Sequence, residues 1–215
     1  MRFEGSKLLD IYIRELYWLC HQVHSGTTKL FEMFPTVNGK VFISAQVDGL
    51  DKIYSILSYA AKVQEIISFS KPDKIHRERS KHIKKLIEPL SISEIRNKKV
   101  RNTIEHFSEY LDDQNKKHSL FHCSNRYLVA FNLIISHWRP IDSPNFPFKL
   151  YKTPQLQYPI YPIRVYVADE RRFYNMDFSI DLSLIHQEAF EIMEHLKPYF
   201  KEESPEDWVS SMIVL

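Results

Sequence analysis

The sequence predicts a mainly α fold: a helical bundle, then a β-hairpin and loop elaboration, then a final helix. Three observations carry this. Apolar residues recur at three- and four-residue steps as far as Asp113, strict alternation appears only between Ile163 and Leu182, and six of the eleven prolines fall between Trp138 and Pro162. The organisation expected is a helical bundle over 1–115, a β-rich and loop segment over 116–182, and over 183–215 a helix packing back on the bundle with an acidic tail.

Each element has its own signal. Between Lys7 and His24, residues Leu8, Leu9, Ile11, Tyr12, Leu16, Leu19 and Val23 trace one helical face. From Ser44 to Phe69 two stripes run together, Val47, Leu50, Tyr54, Leu57 and Ala61 beside Ile53, Ile56, Ala60, Val63 and Ile67. A helix apolar around so much of its girth is expected at the centre of a bundle. Pro72 ends it, and a strongly basic helix is expected over Asp73–Glu88, stopping near Pro89. "SISE", Ser91–Glu94, has capping-box spacing, and after it Ile95, Val100, Ile104, Phe107 and Leu111 form the apolar stripe of a fourth helix.

Past Asp113 the pattern changes. The run "YLVAFNLIIS" reads equally as strand or helix, and Trp138–Pro162 as extended loop. In "IRVYVADERRFYNMDFSIDL", Ile163, Val165 and Val167 alternate on one side, and Tyr174, Met176, Phe178 and Ile180 alternate after a polar "DERR" turn. This is a hairpin signal. A last helix is expected over Leu182–Tyr199.

Composition removes several function classes. With 4 glycines in 215 residues, and neither GxGxxG nor GxxxxGK[ST], phosphate-cradling loops of the dinucleotide-binding and P-loop types are not expected. "MRFEGSKLLDIYIRELYW" carries charges throughout and no 18-residue uncharged apolar run occurs, so a cytoplasmic protein without membrane contact is expected, with Cys20 and Cys123 reduced. His118, His122 and Cys123 lie close together without a second ligand pair, and His21 and His24 stand one turn apart on a helix; no metal or other cofactor is expected. Charge is asymmetric: eleven Lys/Arg against four acids from Lys71 to Arg101, two Lys against eight acids from Asp181 to Leu215. A polyanion would meet the first region, with Arg77, Lys81, Lys98 and Lys99 as candidate contacts.

One stretch gathers residue types suited to acid–base chemistry on a phosphate. In "KKVRNTIEHFSEYLDD" a helix puts Asn102 and His106 on one face, Arg101 one step round, and Glu105 one turn beyond Arg101. "RNTIEH", Arg101–His106, resembles the Arg-x4–6-His signature of the HEPN superfamily of helical-bundle proteins, many of them metal-independent endoribonucleases of toxin–antitoxin and antiphage systems; Asn102 matches the common form of that motif. The bare Arg-x4–6-His pattern also fits Arg77–His82 and Arg14–His21, without the Asn. The resemblance implies an HEPN-like bundle acting on RNA by 2′-OH attack. His106 would transfer the proton, Arg101 would hold the phosphate, Asn102 would orient the histidine or ribose, and Glu105 would be auxiliary. It also implies a homodimer that juxtaposes the motifs, and an antitoxin or regulatory partner. A non-catalytic HEPN-like binding, scaffold or antitoxin-like protein is the alternative. An unrelated helical domain with a charged helix face is the third reading, in which Arg101 and Glu105 are an ordinary i,i+4 pair.

Overall fold

The run Leu128–Ile135 is a strand, and around it the chain builds a seven-stranded mixed sheet. That overturns the mainly α, helical-bundle class: six helices are joined to a sheet among the described residues, which in this computed structural model are 7–35, 42–68, 74–118, 126–142, 146 and 148–200. The elements are α1 (Lys7–Met33), β1 (Ile43–Ser44), α2 (Val47–Ser68), α3 (Lys74–Ile87), α4 (Lys99–Glu105), α5 (Phe107–His118), β2 (Leu128–Ile135), β3 (Arg139–Ile141), β4 (Leu150–Lys152), β5 (Ile160–Val167), β6 (Arg172–Asn175), β7 (Phe178–Asp181) and α6 (Leu182–Leu196), closed by a 3-10 turn at Lys197–Tyr199.

The chain divides into two compact units, one of Met1–Thr27, Ser55–Arg96 and Leu184–Leu215, the other of Thr28–Tyr54 and Asn97–Ser183. The first is helical. Its core buries Leu16, Leu19 and Val23 of α1, Ile56, Ala60, Val63 and Ile67 of α2, Ile83 and Ile87 of α3, and Ile185, Ala189 and Ile192 of α6. The helix-period reading of these segments holds. Of the two stripes expected on α2, however, only that of Ile53, Ile56, Ala60, Val63 and Ile67 is buried throughout, Val47 of the other being exposed and Tyr54 and Ala61 half-buried. A Cβ at Gly26 would stand 2.9 Å from Ile56 Cγ1, so glycine permits the close approach of α1 and α2 there. The expected capping box does not form: Ser91–Arg96 is irregular, and Glu188 of α6 holds it. The Glu188 carboxylate accepts from the backbone N–H groups of Ser93 (2.6 Å), Glu94 (2.9 Å) and Ile95 (2.7 Å) and from the Ser93 hydroxyl (3.1 Å). A buried carboxylate supplies here what a local cap would supply at a helix start.

The second unit holds the sheet, whose main path runs β1-β2-β5-β4-β3, with β6 on β5 and β7 on β6. β2 and β5 are parallel over their whole length, Leu128 opposite Ile160 and Ile135 opposite Val167. Two left-handed residues, Asn132 and Arg164 (φ 55 and 58), stand across from each other in this ladder and are skipped by the pairing, a matched pair of kinks that leaves the register unchanged. They reset which side chains face which core. Tyr161 and Ile163 pack in one cluster with Phe148 and Met176, while Val165 and Val167 pack in the other with Ile135, Trp138, Tyr151 and Tyr174. The expected alternation of Ile163 with Val165 and Val167 on one side is therefore interrupted. β5 and β6 do form the predicted hairpin, but a second turn at left-handed Met176 starts β7, so Tyr174 and Met176 fall in different clusters. Trp138–Pro162, expected as loop, contains β3, β4 and the start of β5, with Arg139 paired to Lys152.

No helix among the described residues is long and apolar enough to cross a membrane. Cys20 is buried with a free thiol, which burial pushes well above its ordinary pKa. Cys123 lies outside the described residues.

A cleft at the carboxyl ends of two parallel strands

The expected fourth helix is two helices, α4 and α5, meeting at His106, whose backbone (φ −110, ψ 41) leaves the helical region while its N–H still donates to Asn102 O at 2.9 Å. Arg101 is 5 % exposed and Thr103 fully buried, and burial lowers the guanidinium pKa, an effect that the charge of Glu105 opposes. Thr103 Oγ1 accepts a 2.8 Å hydrogen bond from Asn175 Nδ2, tying α4 to the sheet. His106 instead faces solvent, its side chain 55 % exposed and 3.7 Å from Glu109. Asn102 is half-buried and Glu105 exposed. The guanidinium meant to grip phosphate is thus turned into the protein while the imidazole is turned out of it. Among the candidate RNA contacts, Lys98 and Lys99 are exposed in the sheet unit, and Arg77 and Lys81 are exposed in the helical unit.

The structure gathers a different set of polar groups. β2 and β5 end side by side at Ile135 and Val167, where Ala168 N–H donates to Ile135 O (2.9 Å). Beyond this point a cleft of about 540 Å³ is lined by His137, Trp138, Arg139, Lys152, Thr153, Pro154 and Asp169. The crevice outside the carboxyl ends of parallel strands is the recurrent ligand position of open sheets, because the chains diverge there and leave loop side chains around a gap. A volume of this size suits a nucleotide-sized ligand.

Local chemistry explains how the residues arrive there. Ser136 is fixed beside Phe42, its N–H donating to Phe42 O (3.1 Å) and Phe42 N–H donating to Ser136 Oγ (2.9 Å). His137 then adopts the left-handed region (φ 55), a strained choice for a residue with a Cβ. Asp169 holds it, accepting its N–H through Oδ1 at 2.9 Å and standing 3.8 Å from its ring Nδ1 through Oδ2. The kink lets Trp138 enter the core against Tyr151, ring centroids 4.4 Å apart, while Arg139 leaves on β3 opposite Lys152. The cleft therefore carries two cations, one carboxylate, and a histidine beside that carboxylate. Among the described residues, His137 Nε2 and Trp138 Nε1 are enclosed and meet no hydrogen-bond partner, so reaching a ligand through Nε2 requires the imidazole to turn about its χ2.

Behind the cleft, Tyr174 donates to Glu170 at 2.5 Å. Burial raises the Glu170 pKa and the Tyr174 hydrogen bond lowers it, with burial the larger effect. Neither His137, Arg139, Lys152 nor Asp169 was singled out by the sequence. The available signal was that two apolar runs, "LVAFNLIIS" and "IYPIRVYVA", each end in polar titratable residues, "HWR" and "DE". It acquires meaning only once the two runs are known to be parallel neighbours.

Among the described residues no group of three or more His, Cys, Asp or Glu is arranged to hold a metal ion. The ligand candidates His122 and Cys123 lie outside the described residues, as does the side chain of His118. No family model, curated protein or solved structure matches this chain.

Proposed function

We propose that the protein cleaves RNA without a metal ion, with the scissile phosphate seated in the cleft beyond β2 and β5. The observation that carries this reading is the grouping of Arg139, Lys152 and the His137–Asp169 pair around one cavity. Cleavage by 2′-OH attack needs positive charge where the phosphorane gathers negative charge and a group that moves protons near neutral pH. Arg139 and Lys152 supply the first. His137, whose backbone N–H Asp169 holds, supplies the second once its ring turns toward the cleft. In the reaction His137 takes the 2′-OH proton, O2′ bonds to phosphorus, the P–O5′ bond breaks, and the imidazolium returns a proton to the leaving 5′-oxygen. The products are a 2′,3′-cyclic phosphate and a 5′-hydroxyl.

The alternative is RNA binding without cleavage, favoured by the enclosure of His137 Nε2. Incubating the purified chain with RNA in EDTA, beside His137→Ala and His106→Ala, separates the possibilities. Cleavage lost in His137→Ala and kept in His106→Ala supports the cleft as reacting centre. Loss only in His106→Ala moves the chemistry to the "RNTIEH" motif. Retention of RNA by a chain that cuts nothing leaves a binding protein.

A further inference from the structure

The edges of the sheet are not protected equally. β1 is two residues long, β7 is four residues and ends in Asp181, and β3 is three residues with Arg139 and Pro140 in it. Shortness, charge and proline are the usual means by which an edge avoids pairing with another chain. β2 has none of these where β1 leaves it uncovered. β1 pairs only with Ile134 and Ile135, so no described strand covers the outer side of β2 from Leu128 to Phe131. That stretch, Leu-Val-Ala-Phe, carries no charge, and Leu128, Val129 and Phe131 are 38 %, 38 % and 50 % exposed.

The backbone direction adds a register. Leu128 N–H donates inward to Pro159 O at 2.7 Å, so in the parallel ladder Leu128 and Ala130 turn their backbone groups to β5. Val129 and Phe131 consequently offer both N–H and C=O outward. We propose that this edge pairs with the same edge of a second copy, antiparallel and centred on Ala130, to give a two-fold homodimer with a sheet continuous across it. In that register Val129 of one protomer faces Phe131 of the other as a hydrogen-bonded pair, twice, which uses the four outward polar groups of each protomer's two residues. Each pair also sets a β-branched side chain against an aromatic one on the exposed face, a favourable cross-strand combination, with no like charges opposed. Ala130 meets Ala130 on the axis, where its small side chain, 5 % exposed toward the sheet's own core, leaves the approach clear. This edge is on β2, whereas α4, which carries the "RNTIEH" motif, packs on β6 and β7.

The test is a charge-swap experiment on the full chain, read as mass against concentration by sedimentation equilibrium. The parent doubles its mass as concentration rises; a Val129→Lys/Phe131→Lys chain and a Val129→Glu/Phe131→Glu chain each stay monomeric; and an equal mixture of the two regains the doubled mass, because lysine then faces glutamate. A parent monomeric throughout the series, double variants that dimerise as the parent does, or a mixture that stays monomeric would each overturn the proposal. Retention of the far-ultraviolet circular dichroism signal by both variants is checked first, and Met33→Lys, at an exposed position of α1, is the control expected to dimerise as the parent does.

Discussion

At the scale of the residue, two side chains in the helical unit convert chemistry into stability that can be measured. Glu188 is 5 % exposed and satisfies three backbone N–H groups of Ser93–Ile95, which its removal leaves bare. Glu188→Ala is expected to lower unfolding stability by about 2–4 kcal/mol in urea titration, and Glu188→Gln by less, since an amide oxygen still accepts. His24 stacks on His186 with ring centroids 4.1 Å apart, and burial, the leading cause, pulls its pKa below the ordinary 6.5. A depressed folded-state pKa contributes stability that is full above the unfolded value and is lost as pH falls through the folded one. Stability should therefore decline on acidification below about pH 6.5, and His24→Phe should flatten that part of the profile. In the sheet unit, the left-handed His137 gives a third comparison: His137→Gly should be more stable than His137→Ala by about 1 kcal/mol, because only glycine is free of the Cβ penalty.

At the scale of the element, α2 and α3 read well from sequence, whereas α1 runs nine residues past its expected end at His24 and the expected fourth helix is two. Of the strands, only the β5–β6 hairpin was legible in advance. α2 and α3 fall within three residues of their expected ends because Ile53, Ile56, Ala60, Val63 and Ile67 are all buried on one stripe and Pro72 and Pro89 bracket the basic helix. β2 and β5 sit side by side in parallel, and β5 is buried on both faces, so its residues form a nearly continuous apolar run in place of a clean alternation. Asn132 and Arg164 then break what alternation there is, and nothing marks a left-handed arginine in advance. The Arg164 guanidinium lies 4.1 Å from the Phe107 ring centroid, which gives the kink a packing partner on α5. α2 meets the sheet closely at Gly49, where a Cβ would lie 2.6 Å from Ile134 Cδ1 and 2.7 Å from Phe34 Cε2. Gly49→Ala should cost about 1–3 kcal/mol in thermal or urea unfolding through overpacking. The motif was legible as a set of residue types, and its spacing already sets Arg101 and His106 about 140° apart round a regular helix, in line with a buried Arg101 and an exposed His106. The helix break at His106 itself has no signal in "RNTIEHF".

At the scale of the whole molecule, the mixed sheet offers a second candidate site beside the "RNTIEH" motif. A bundle would place function on a helix face, whereas parallel strands create a crevice at their carboxyl ends from residues far apart in sequence, His137 and Arg139 with Lys152 and Asp169. If RNA phosphate enters there, Arg139→Ala/Lys152→Ala should weaken binding to single-stranded RNA and reduce the slope of log affinity against log salt by about 1.4, the share of two phosphate contacts. The most direct test of phosphate entry is nuclear magnetic resonance on 15N-labelled protein titrated with an oligoribonucleotide in EDTA. The account predicts that the Trp138 indole N–H and the His137 ring nitrogens shift first and saturate together. Binding that shifts the His106 ring and leaves Trp138 and His137 unmoved would contradict it.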